Sequence, residues 1–344
     1  MNKLPFEDIK RDILVKQEAI SGLGYAEGTQ NDNLISGLGY EKGIHKDNLN
    51  QKKTKLKEEL TAEQLINYGI VNINKPRGPT SHQVSDYVKK ILNINKAGHS
   101  GTLDPNVTGV LPVALGRATK IVQVLMPAGK EYVVIMHIHK NIDKDKLTKT
   151  IMSFVGRIKQ KPPLKSAVKR VLRERTIYYI EILEIDDKDV LFRVGCEAGT
   201  YIRKLCDDIG KKLGGAHMAE LIRTKAGPFD NKETYTLQEL ADAYYYYKQG
   251  NDKYIKKIIK PIETAITHLP KVWVLDTAIN TLVHGVDLKT PGISKVNEGI
   301  NINDTVAVVS LNDKLIAIGK AIMESNDMAT KEKGVAVKVE KVFA

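Results

Sequence analysis

One carboxylate in this 344-residue chain stands where a reactive acid would. Asp104 lies within Gly98-His99-Ser100-Gly101-Thr102-Leu103-Asp104-Pro105-Asn106-Val107-Thr108-Gly109-Val110-Leu111-Pro112. Gly98, Gly101 and Gly109 permit positive φ or close backbone approach, while Pro105 biases Asp104 toward an extended conformation. A carboxylate presented this way can attack as a nucleophile or act as a base. Taken alone, the same Gly/Asp/Pro cluster also fits a plain turn. A cation calls for a partner of this kind. Arg203 falls in the first turn of a helix marked by Ile202, Leu205, Ile209 and Leu213, with Thr200 as the expected N-cap. A positive charge there opposes the helix dipole, so a partner outside the helix is expected.

Other chemistries lack their residues. The chain has no P-loop, no dinucleotide fingerprint after a strand, no HExxH and no cysteine cluster. Cys196 and Cys206 are too few and wrongly spaced for zinc, and two thiols suit a reducing compartment. His137 and His139 share a face of one strand, but the sequence offers no further ligand beside them, so no metal site is expected. The formal charge of +12 favours a polyanionic partner. No apolar run reaches the length of a membrane span and no signal-peptide core opens the chain, so a cytoplasmic protein without membrane association is expected.

The elements that must position these residues follow from hydrophobic periodicity. Residues 1 to about 60 are polar and carry a tandem repeat, Ile20-Ser21-Gly22-Leu23-Gly24-Tyr25 and Ile35-Ser36-Gly37-Leu38-Gly39-Tyr40, which reads as an extension outside the core. A strand is expected at Ile70–Ile73. A helix follows from Ser81 to Leu92, opened by a Thr80/Gln83 capping box. Val110–Leu115 reads as a buried strand, Ile121–Leu125 as a short helix, and Glu131–His139 as a strand with Tyr132, Val134, Met136 and Ile138 on one face. After a helix at Lys144–Phe154, the stretch from Arg157 to Arg175 holds eight cations against the single acid Glu174, a density suited to tracking phosphates. Strands at Ile177–Ile185 and Val190–Gly195 precede the Arg203 helix, and a Thr236/Glu239 capping box opens another helix through Tyr244–Tyr247. From Leu269 the pattern changes to short β runs at Val272–Leu275, Thr305–Val309, Leu315–Gly319 and Val335–Val339.

The Asp104 run, with Asn74-Lys75-Pro76-Arg77-Gly78-Pro79-Thr80-Ser81-His82 ahead of it, resembles the TruB/dyskerin family of RNA pseudouridine synthases over roughly residues 60 to 344. Lys161 to Arg170 resembles the archaeal and eukaryotic branch, and the chain lacks the lysine-rich tail of eukaryotic dyskerins, which favours an archaeal type. The resemblance implies an α+β fold: a mixed, largely antiparallel catalytic domain over 61–268, then a small β-barrel PUA domain over 269–344. It implies Asp104 as catalytic residue, with Tyr132 against the target base and Tyr201, Ile202, Arg203 and Arg223 around the pocket. RNA contact is implied for Lys165, Lys169 and Arg170, and for Gly285 and Gly292 within His284–Leu288 and Pro291–Ile293. The implied reaction, uridine to pseudouridine, needs no cofactor. Implied partners are tRNA, or an H/ACA guide RNA and its rRNA target with three small particle proteins. The alternative is a non-catalytic RNA-binding scaffold, against which the set Asp104, Tyr132, Tyr201 and Arg203 argues.

Overall fold

The computed structural model describes residues 11–16, 60–162 and 169–343, so the tandem repeat and Lys165 lie outside the described residues. Strand β1 spans Ile13–Val15, helix α1 Ala62–Tyr68, β2 Gly69–Lys75 and α2 Ser81–Ile91. Next come β3 (Ala97–His99), β4 (Thr108–Leu115), α3 (Val122–Leu125), β5 (Lys130–Ile138) and α4 (Lys144–Met152). The middle of the chain holds β6 (Gly156–Gln160), β7 (Arg173–Asp186), β8 (Asp189–Cys196), α5 (Ile202–Leu213), β9 (Ala216–Ala226) and β10 (Phe229–Asp230). Helices α6 (Leu237–Lys248) and α7 (Lys253–Ile258) lead to β11 (Ile259–Pro261) and β12 (Lys271–Val274). The C-terminal part contains α8 (Asp276–Val283), β13 (Leu288–Lys289), β14 (Ile293–Asn297), β15 (Thr305–Ser310), β16 (Leu315–Ala321), α9 (Ser325–Thr330) and β17 (Val335–Val342).

Two sheets organise these elements. The larger runs β11-β2-β4-β9-β5-β8-β7-β6, with β3 on β4 and β10 on β9; β4 and β9 pair in parallel while the other pairs are antiparallel. One hydrophobic cluster lies between this sheet and α4 and α5, built from Val134, Met136, Phe192, Leu205 and Ile209. A second is formed by α1, α2 and α6 against β2 and β4 through Leu65, Val84, Val88, Leu111 and Leu240. The expected capping boxes at Thr80/Gln83 and Thr236/Glu239 both form, and Thr61/Gln64 makes a third that starts α1. Thr200 does not cap α5. Its hydroxyl donates to the Glu197 carbonyl, and Tyr201 takes the cap position without a side-chain bond. No helix among the described residues is long and apolar enough to cross a membrane.

The smaller sheet runs β1-β14-β12-β15-β16-β17-β13. Its first strand departs from the sequence reading, because residues 11–16 do not stand apart from the fold. Ile13–Val15 extend the sheet beside β14, and the Lys16 ammonium is buried with Nζ 2.8 Å from the Thr290 carbonyl. Three residues carry too little hydrophobic pattern to read as a strand; the open edge of β14 supplies the pairing. The two sheets share a core, in which Ile70, Val110 and Ile262 pack with Trp273, Val309 and Phe343. Tyr68 donates its hydroxyl to the Phe343 carbonyl across this boundary, and Glu263 accepts from the Leu315 amide at 3.1 Å.

Candidate active site

Asp104 sits on the loop between β3 and β4, with its backbone anchored from below. The Lys75 ammonium at the end of β2 has no exposed surface and donates to the carbonyls of Pro76, Pro105 and Val107 at 2.9, 3.0 and 2.9 Å. Ser81, the first residue of α2 after the Thr80 cap, receives the Leu103 amide at 2.8 Å on its hydroxyl, so the start of the helix also fixes the residue before Asp104. Val107 N–H donates to the Asp104 carbonyl and Gly78 N–H to Pro105, which closes the turn. Burial pushes the Lys75 pKa down; the Asp104 charge pulls it back up and Arg223 adds to the depression.

The Asp104 carboxylate points outward and meets Arg203, whose Nη2 lies 2.7 Å from Oδ2. The two side chains are 55% and 62% exposed, so the partner expected for the first-turn cation is present and water reaches both groups. Contact through one nitrogen differs from a two-pronged guanidinium grip. Tyr201, next to Arg203, is held by its backbone: its N–H donates to Gln160 Oε1 at 3.0 Å and its carbonyl accepts from Gln160 Nε2 at 3.2 Å. Ile202 is buried in the cluster against which Tyr132 packs, so it is a core residue behind that tyrosine.

Arg223 is a different kind of cation from Arg203. It has no exposed surface, and Nε donates to the Val110 carbonyl at 2.7 Å while Nη2 donates to Gly101 at 3.2 Å. The Tyr132 phenol is its electrostatic neighbour. Burial depresses its pKa, opposed by Tyr132. The phenol of Tyr132 is pushed up by burial despite that neighbouring charge and stays neutral at neutral pH. Beside Arg223, the Lys130 ammonium donates to the carbonyls of Leu125, Met126 and Ala128 at 3.0, 2.8 and 2.6 Å, and burial drives its pKa down to about 7. Gly109 makes this layer possible: at φ +106° an added Cβ would lie 2.2 Å from the Arg223 carbonyl oxygen.

Residues 89–202 match the N-terminal domain of TruB family pseudouridylate synthases, 203–267 the tRNA pseudouridylate synthase B C-terminal domain, and 270–343 the PUA domain. A probable tRNA pseudouridine synthase B of Thermococcus onnurineus is 57% identical over 289 residues, 83% of this chain and 86% of the relative. The Methanocaldococcus jannaschii protein of the same name is 52% identical over 83% of this chain and 85% of its own. The chain belongs to the TruB family of pseudouridylate synthases. Its activity is therefore an isomerisation carried out on RNA. Among solved structures, a Cbf5-Nop10-Gar1 complex superposes with a TM-score of 0.84 at 48% identity, covering 99% of this chain and 98% of that one. An H/ACA ribonucleoprotein bound to a substrate RNA containing 2′-deoxyuridine gives a TM-score of 0.81 at 46% identity, covering 100% and 97%.

The fold of this TruB family member is the expected mixed, largely antiparallel catalytic domain followed by a PUA domain. Of the residues expected to touch RNA, Lys169 and Arg170 are exposed beyond β6, and Arg170 Nε donates to the Pro162 carbonyl at 3.2 Å. Gly285 has φ +81° with open space around it, whereas Gly292 is explained by packing, since a Cβ there would lie 2.8 Å from that of Ala278. The sequence reading passed over Lys75 and Lys130 as participants in the site. Both continue an apolar face at period two, Lys75 after Val71 and Ile73, Lys130 before Tyr132 and Val134, and a lysine in that register signals a buried cation.

Proposed function

We propose that this chain converts uridine to pseudouridine with Asp104 as the catalytic carboxylate, acting on rRNA directed by an H/ACA guide and also on the T-loop of tRNA. The observation that carries the reading is the placement of Asp104: an exposed carboxylate on a loop whose backbone is clamped by Lys75 and Ser81, with Arg203 at 2.7 Å. In the reaction the bond from the sugar to uracil N1 breaks, the base turns, and a bond from C5 to the same sugar forms. C5 gives up a proton and N1, freed from the sugar, takes one up, so atoms balance without a cofactor. Asp104 serves as nucleophile at the sugar or as base toward it.

Extruding the uridine from its stack costs a few kcal/mol. The neutral Tyr132 offers a face for the base, and Arg203 holds the carboxylate's direction. Tyr201 and Ile202 complete the wall, while Arg223 fixes the loop and Tyr132 from behind. Lys165, Lys169 and Arg170, with the Gly285 and Gly292 segments of the PUA domain, supply phosphate and backbone contacts. Similarity over nearly the whole chain to the Cbf5-Nop10-Gar1 complex and to H/ACA ribonucleoprotein structures supports assembly with partner proteins in an H/ACA particle. The names of the curated relatives support tRNA as a second substrate. The buried free thiols of Cys196 and Cys206 suit the reducing cytoplasm.

The test is to incubate the chain with an unmodified tRNA transcript and, separately, with guide RNA, target and partner proteins, and to map pseudouridine. Product in the guided arm that disappears with Asp104→Asn is the expected result. Absence of product in both arms leaves a non-catalytic RNA-binding scaffold.

A further inference from the structure

A row of ligating side chains crosses three strands at the end of the catalytic sheet remote from Asp104. Asp189 on β8 is in register with His137 on β5, and His137 with His217 on β9. His139 lies in the bend just past the end of β5, where its N–H donates to the Gly215 carbonyl at 2.9 Å and its ring faces that of His217. The sequence reading set His137 and His139 aside because nothing nearby completed a site. Strand pairing brings the missing groups alongside.

Two short contacts and three ring separations describe the cluster. His139 Nε2 and His217 Nδ1 are 2.9 Å apart. His137 Nδ1 lies 2.8 Å from Asp189 Oδ1, so its Nε2 is the remaining ligand atom, as in the carboxylate–histidine pairs that orient metal ligands. The ring centres are separated by 5.2 Å for His139 and His217, 5.3 Å for His137 and His217, and 6.3 Å for His137 and His139. With metal–nitrogen bonds of about 2.1 Å, two imidazoles on a tetrahedral ion have ring centres about 5 Å apart. Two of the three pairs already meet that spacing, and the third must close by about 1 Å. The His139 ring rests on bare backbone, since a Cβ on Gly215 would lie 2.5 Å from its Nδ1. Among the described residues no group of three already has metal-holding geometry, so binding requires the His139–His217 contact to open and the rings to draw together around the ion.

We propose that His137, His139 and His217 bind one borderline divalent transition-metal ion, of which Zn2+ is the probe, with Asp189 orienting His137. Three imidazole nitrogens favour such an ion over Mg2+ or Ca2+, which take oxygen ligands. The ion ties the outer ends of β5 and β9, the strands whose other ends carry Tyr132 and Arg223.

The test is calorimetric titration of Zn2+ into the metal-stripped full chain at neutral pH. One saturable site is expected, weakened at least tenfold by His139→Ala and by His217→Ala and about tenfold by Asp189→Asn, with no heat from Mg2+. Zn2+ should raise the melting temperature of the wild type and leave that of His217→Ala unchanged. Both histidines are exposed, so the variants should fold; melting curves without metal check this. No saturable uptake, or uptake that the two histidine variants leave unchanged, overturns the site. Wild-type affinity in Asp189→Asn overturns the part assigned to that carboxylate.

Discussion

The Asp104–Arg203 pair and the layer of cations beneath it hold charge in opposite ways. Asp104 and Arg203 meet in water, each more than half exposed, joined by one nitrogen–oxygen contact. A pair of this kind adds little to stability, typically below about 1 kcal/mol. Lys75, Lys130 and Arg223 are buried, and their donors point at backbone carbonyls rather than carboxylates. A buried donor removed from such a carbonyl leaves an acceptor unsatisfied at about 1–3 kcal/mol. The Asp104 carboxylate therefore stays accessible while the loop that carries it is anchored by hydrogen bonds. On the proposed function, chemistry and stability are divided between the two layers.

That division can be broken from either side. The largest expected effect is Asp104→Asn, which removes the charge and the proposed nucleophile or base from the outer layer and leaves the inner one intact. Single-turnover product should fall to background with saturating enzyme, while stability stays within about 0.5 kcal/mol and RNA affinity holds or tightens. Urea melts, RNA titration and product mapping on one preparation separate this from a collapsed loop, which would lower all three together.

Gly109→Ala attacks the inner layer. The new Cβ would lie 2.2 Å from the Arg223 carbonyl oxygen at φ +106°, and the parallel pairing of β4 with β9 runs through the same residues. A loss of about 3 kcal/mol is expected from strain and overpacking. The urea midpoint measures it; activity should fall with stability, unlike in Asp104→Asn.

Lys130 sharpens the comparison through pH. Burial lowers its folded pKa from 10.5 to about 7, although its three carbonyl partners favour the ammonium form. Between these values the unfolded chain binds more protons than the folded one, so this group's contribution to stability rises with pH and is lost as pH falls through about 7. The stability difference between wild type and Lys130→Met should grow by roughly 1 kcal/mol per unit from about pH 7 to about pH 10. A flat difference would mean that the carbonyl bonds outweigh burial.

The smallest effect is expected from Arg203→Lys. A planar guanidinium gripping both carboxylate oxygens would make Lys a poor substitute, but the single contact to Oδ2 is one an ammonium can partly reproduce. A rate loss of about tenfold with unchanged melting is expected. Complete loss would indicate that substrate draws the guanidinium into a second contact.

Local chemistry made much of this protein legible in its sequence. The Gly-rich run around Asp104, the Thr80/Gln83 and Thr236/Glu239 capping boxes and the alternation along β5 are written in neighbouring residues, so turn, cap and strand followed from them. The α5 cap was misassigned to Thr200 because the group serving that turn, Gln160, is 41 residues away. For Arg203 the residues alone show only the need for some partner; the family resemblance names Asp104, and the fold brings the two to 2.7 Å. Tertiary structure alone decided that Arg223 faces carbonyls from a buried position, that residues 11–16 complete the C-terminal sheet, and that His217 and Asp189 join His137 and His139. Each depends on strand pairing between distant segments, where register and burial decide which groups meet, and a single chain read in order carries no measure of either.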